Sequence, residues 1–157
     1  MKNLITNEEV ISLAFGDGEY IPPEIVLDSD IASATFRYII PVVGAELYQA
    51  MLDGNHLTLL EDFVAPALAF AVRTMIQPAL NIRTWRLSEQ ASRSLRADTS
   101  TKAAIQALQK SLRERRQTLL KRLSDHLKNH ASEYPAYDPS NDAMQKCSID
   151  GGIVQVR

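Results

Sequence analysis

The stretch APALAFAVRTMIQPALNI, residues 65–82, decides the fold. Leu68, Phe70, Ala71, Val72, Met75, Ile76, Ala79 and Leu80 leave it almost no polar side, and a helix that is apolar nearly all round is a buried one. It falls short of the roughly 20 apolar residues a bilayer requires, and Arg73 and Gln77 in its middle make a membrane span costly. The pattern therefore predicts the central helix of a soluble core. Pro66 suits its first turn, where an N–H has no intrahelical partner, and Pro78 is expected to end or kink it near Gln77.

Working outward, 157 residues with 45% hydrophobic content can bury one ordinary globular core. The single cysteine, Cys147, excludes an intramolecular disulfide, and no basic segment followed by an apolar run opens the chain, so a cytosolic setting is expected. A net charge of -2 argues against a protein whose main work is gripping nucleic acid. The distribution says more than the total. Residues 1–62 carry eleven acids against two bases, net -9, and residues 83–128 carry twelve bases against four acids, net +8. Such blocks neutralise each other inside one subunit, stay solvated, or let one copy's acidic region meet the next copy's basic one.

Taken in order, Thr6-Asn7-Glu8-Glu9 has the form of a capping box opening a short helix that runs to Leu13 or Phe15. Gly16-Asp17-Gly18 is a turn, and Pro22-Pro23 imposes extended backbone. Ile25, Ile31, Ala34, Tyr38 and Ile39 then form the stripe of a second helix, expected to stop at Pro41. Gly44 offers a left-handed turn before a short helix through Leu47, Tyr48, Met51 and Leu52, closed by Asp53-Gly54-Asn55. Residues 57–64 read as a turn or two of helix leading into the central one.

Beyond Ile82, residues 83–100 (RTWRLSEQASRSLRADTS) read as a long exposed connector. Thr99 or Ser100 caps a last helix in which Ile105, Leu108, Leu112, Leu119, Leu123 and Leu127 keep a three-four spacing interrupted at Arg115 and Arg116. A helix of about 32 residues spans roughly 48 Å, more than such a domain needs, so one end is expected to project. Tyr134-Pro135 terminates it. Residues 137–142 read as loop, and Asp150-Gly151 flanked by Ile149 and by Ile153, Val154 and Val156 reads as a short hairpin. The expected architecture is mainly α: a helical domain over residues 1–143, with a buried central helix and one long amphipathic helix, and a hairpin or extended arm over residues 144–157.

The chemistry-bearing residues point to no reaction. His126 and His130 stand at i and i+4 but lack the glutamate a zinc-protease helix requires, and read as surface histidines near a helix C-terminus, where a cation suits the dipole. Cys147 has no base nearby, Asp28 and Asp30 read as capping or solvated residues, and no glycine-rich phosphate loop is present. Trp85 between Arg83 and Arg86 is a weak stacking platform for single-stranded nucleic acid, and no tight helix-turn-helix precedes a basic helix. No catalytic, cofactor or metal residues are assigned.

Several stretches, in order along most of the chain, resemble the small head-to-tail connector, or adaptor, proteins of tailed bacteriophages and prophages. They are Leu4-Ile5-Thr6 with Glu8-Glu9-Val10; Phe36-Arg37-Tyr38-Ile39-Ile40-Pro41-Val42-Val43-Gly44-Ala45-Glu46-Leu47-Tyr48; Pro66-Ala67-Leu68-Ala69-Phe70-Ala71; and Glu133-Tyr134-Pro135-Ala136-Tyr137. The resemblance rests on structural residues, chiefly Tyr38, Pro41, Gly44, Leu47, Tyr48, Pro66, Tyr134 and Pro135.

It implies a non-enzymatic virion part at the head-tail junction, made in the host cytoplasm: a ring of about twelve copies between the portal and a tail or stopper protein, through which DNA passes without sequence-specific binding. Arg113, Arg115, Arg116 and Arg122, with Ile153, Val154 and Val156 of the tail, are the expected contacts between copies or with the portal. No cofactor and no membrane is expected. The alternative class is a regulator or enzyme built on a helical bundle.

Overall fold

The computed structural model describes the backbone of residues 2–16, 19, 21–91, 99–150 and 153–156, and the side chains of residues 2–16, 19, 21–82 and 102–146. The chain is mainly α-helical. Helix α1 (Asn7–Ala14) opens on the expected capping box: the Glu9 N–H donates to Thr6 Oγ1 at 3.3 Å and the Thr6 N–H to Glu9 Oε2 at 2.7 Å. Each satisfies a donor that a helix start otherwise leaves unpaired. After Pro22, in extended backbone, a 3-10 turn at Pro23–Ile25 leads to α2 (Asp28–Ala34), where Asp30 accepts the Leu27 N–H at 3.2 Å, the capping role expected of it.

Helix α2 does not stop at Pro41. It widens into a π turn at Thr35–Ile39, in which Ile40 N–H reaches back to Thr35 C=O, and continues as α3 (Ile40–Val43) with Pro41 in its first positions. A proline ring collides with the carbonyl four residues before it in a regular helix, and a local change of pitch relieves that crowding. The same device recurs before the central helix. After α4 (Ala45–Leu52) and α5 (Leu57–Leu59), a second π turn at Leu60–Val64 bonds Ala65 N–H to Leu60 C=O and is followed at once by Pro66. The real stop is Gly44, at φ 84°, where a side chain would be strained.

Helix α6 (Ala65–Ala91) is the centre of the fold, packed against α1, α2 and α7 (Thr99–Asn129). Ala67, Leu68, Ala69, Ala71 and Val72 are fully buried, as the sequence indicated. At its far end α6 does not stop at Pro78 but continues through it, and residues 83–91 are helix rather than the expected connector. Pro78 lies on an exposed side, so water can serve the Thr74 carbonyl that the missing N–H leaves behind. The rest of that connector, residues 92–98, and the side chains of Arg83, Trp85 and Arg86 lie outside the described residues. Among the described residues, no helix is long and apolar enough to cross a membrane.

Helix α7 buries Leu112, Leu120, Leu123 and Leu127, while the described residues before Leu112 are exposed or half-exposed, so its amino-terminal part stands clear of the core. It ends at Asn129, five residues short of Tyr134-Pro135. Tyr134 is buried instead in the turn that follows, so the chain has already bent back before the proline. A short α8 (Ala143–Lys146), which straddles residue 144, packs on α7 and α3.

Candidate functional site

The outward side of α7 is built from arginines laid over aromatic rings. The Arg115 guanidinium lies 4.6 Å from the Phe70 ring centre, Arg116 4.4 Å from Tyr38, and Arg122 4.8 Å from Phe63. Arg116 Nη1 also donates to the Tyr38 hydroxyl at 3.1 Å. Tyr38 and Phe63 each hold the fourth place in a π turn, so the two widened turns present equivalent rings to one helix. A planar guanidinium stacks on such a ring while its charge stays in water. Arg115 and Arg116 thus interrupt the leucine stripe because rings lie beneath them, a reason the sequence pattern did not contain. Arg113, Arg115 and Arg122 are nonetheless exposed.

Neutralisation within the subunit is slight among the described residues. One ion pair, Arg73 to Glu19 at 2.8 Å, involves the acidic third of the chain, and another, Lys110 to Glu114 at 3.8 Å, lies within α7. Neither joins the acidic third to α7. A groove of about 500 Å³ between α1 and the Pro23–Ile25 turn carries the carboxylates of Glu8, Glu24 and Asp28.

The three histidines of the chain come together, which sequence spacing indicated only for two. His56, His126 and His130 line a groove of about 410 Å³ with Phe63, Glu133 and Tyr134. The His126 ring stacks on Phe63 at 4.0 Å and on His130 at 4.4 Å, and its Nε2 lies 3.3 Å from the Tyr134 hydroxyl. His56, at φ 58° in left-handed backbone, sets its ring edge-on to Tyr134 at 5.2 Å. Burial holds the His126 pKa below its ordinary value; His130 and Arg122 act the same way, against Glu133 and Asp62. Burial, with Glu133 beside it, raises the Tyr134 phenol. These are packed groups rather than free surface histidines. Among the described residues no three His, Cys, Asp or Glu stand together as a metal site.

A second polar centre was not legible in the sequence at all. Asp142 is fully buried and accepts from Ser124 Oγ at 2.6 Å, the Tyr137 hydroxyl at 2.7 Å and the Met144 N–H at 2.7 Å. It caps α8 and pins it to α7. Burial and that carboxylate push the Tyr137 phenol far above its usual range. An aspartate directly before a short helix is the signal that could have suggested the cap; its burial needed the fold. Of the structural motif residues, Leu47 and Tyr134 are in the core and Pro135 is exposed, while Tyr48 is half-buried. The side chains of Cys147, Ile153, Val154 and Val156 lie outside the described residues.

Fold and surface together define a small helical protein with a cationic long helix and an acidic amino-terminal third. The chain belongs to DUF6712, a family of unknown function, whose sequence pattern matches residues 29–146. The matched span runs from the start of α2 to the end of α8 and so takes in both π turns and both polar centres. No curated protein and no solved structure matches the chain.

Proposed function

We propose that this protein is a structural subunit of a tailed-phage or prophage particle, a head-to-tail connector that forms a ring between portal and tail and lets DNA pass. The observation that carries the reading is the charge of α7: among the described residues Arg115, Arg116 and Arg122 rest on Phe70, Tyr38 and Phe63, and no ion pair joins α7 to the acidic third. A closed ring requires two different patches on each subunit, one meeting the other on the next copy. The cationic helix and the groove of Glu8, Glu24 and Asp28 are such a pair. The ordered resemblance of residues 36–48 and 133–137 to connector proteins supports the same reading.

In this proposal the tail is an assembly arm. We read it as a hairpin in which Cys147–Asp150 runs antiparallel to Ile153–Val156, with Cys147 opposite Val156 and Asp150 opposite Ile153. An isolated two-stranded hairpin is marginal in water and gains most by adding to a strand of a neighbour. The test mixes the purified protein with the portal protein of the same genome and images the product. A ring seated on the tail side of the portal is the expected result. Failure to bind the portal, together with absence of the protein from purified particles, would overturn the proposal in favour of a regulator or enzyme.

A further inference from the structure

We propose that the histidine groove forms an acid-sensitive latch centred on His126: while that ring is neutral, its stack with Phe63 and His130 and its bond to Tyr134 hold the turn of residues 130–137 against α5 and the second π turn, and its protonation releases the turn. The inference does not depend on the connector reading. Its basis is that one groove gathers every histidine in the chain and joins three pieces of structure: the entry to α5 through His56, the second π turn through Phe63, and the end of α7 through His126 and His130.

The hydrogen bonding sets the neutral form. His130 Nδ1 lies 3.0 Å from the His126 carbonyl, which can only accept, so the neutral His130 ring carries its proton on Nδ1. Tyr134, kept protonated by burial, donates to His126 Nε2 across 3.3 Å. Adding a proton to that nitrogen turns an acceptor into a donor and requires the phenol to reorient.

The cation so formed lies 4.4 Å between ring centres from the His130 imidazole. From α7, Arg122 repels it; Asp62 of the π turn and Glu133 of the following turn oppose that repulsion, with His56 at the rim. The folded state thus prefers neutral His126. Its contribution to stability is whole above about pH 6.5, the ordinary value, and is lost as the pH falls through the lower folded value.

Amide exchange on the full chain at pH 7.5, 6.5 and 5.5, corrected for intrinsic rates, tests the latch. Exchange in residues 131–137 should rise about threefold or more on acidification relative to residues 65–72, and His126→Gln and His130→Gln should each flatten that rise. Unchanged protection in the wild type, or an equal rise in either folded variant, overturns the proposal. If neither variant folds, the His126 Cε1 proton is titrated in the wild type by NMR: a midpoint below that of a free histidine supports the latch, and one at or above it overturns the latch.

Discussion

Arg73 of α6 and the arginines of α7 meet aromatic rings at nearly the same distance, 4.3 Å for Arg73 over Phe15 and 4.4 to 4.8 Å for Arg115, Arg116 and Arg122 over theirs. Yet only Arg73 also meets a carboxylate and a backbone carbonyl. It is 6% exposed, donates to Ala14 C=O and to Gln77 Oε1, and pairs with Glu19. A buried guanidinium must have its donors satisfied by protein, because an unpaired one costs the full desolvation of the group. On α7 Arg115 and Arg122 are exposed, so water completes their shells and their charge remains available to another molecule, whereas Arg116 is half-buried, donates to the Tyr38 hydroxyl and keeps a buried Nε without a protein partner. Burial therefore separates Arg73, which clasps the loop after α1 to the core, from Arg113, Arg115 and Arg122 of the basic segment, which face out.

The largest effect should come from removing a ring that serves both regions. Phe70 is buried in α6 and carries Arg115 on its face, so Phe70→Ala should cost about 3 to 5 kcal/mol in urea unfolding. A loss below about 1 kcal/mol would mean that α6 is not the centre of the core. Next, Arg73→Ala leaves the Ala14 carbonyl without its donor and should cost about 1 to 3 kcal/mol.

The α7 side of the comparison predicts the opposite balance. Arg115→Glu with Arg116→Glu should lower stability by only about 1 kcal/mol; the connector proposal predicts that it nevertheless weakens association between copies or with a portal protein, an effect that salt mimics in the wild type. A double variant that unfolds while its residual folded fraction assembles normally would erase the distinction. The smallest change is expected for Glu19→Gln. Because that carboxylate is 46% exposed, thermal unfolding should shift by the equivalent of less than about 1 kcal/mol, and less again at high salt.

Much of the helical plan was legible because it rests on neighbours in sequence. The Thr6 and Glu9 cap, the buried run from Ala67 to Val72, the burial of Leu112, Leu123 and Leu127 in α7 and the positive φ at Gly44 are all local statements, whereas Leu108 of the expected stripe is exposed and Leu120 rather than Leu119 is buried. The expected stops at Pro41 and Pro78 failed for a physical reason. Pro41 and Pro78 weaken a helix by a few kcal/mol in isolation, but a π turn absorbs the first and an exposed position hydrates the second, while packing holds the helix together.

By itself, then, the sequence determined where apolar surface would be hidden and where the charge would lie, since periodicity and composition act within a few residues of each position. Only the tertiary structure decided what the polar groups would touch. His56 lies 70 residues from His126, Tyr38 lies 78 residues from Arg116, and Asp142 is buried against Ser124 18 residues away. Such meetings follow from how α7 closes over the two π turns, and side-chain stacking and buried hydrogen bonds depend on that closure rather than on any local pattern.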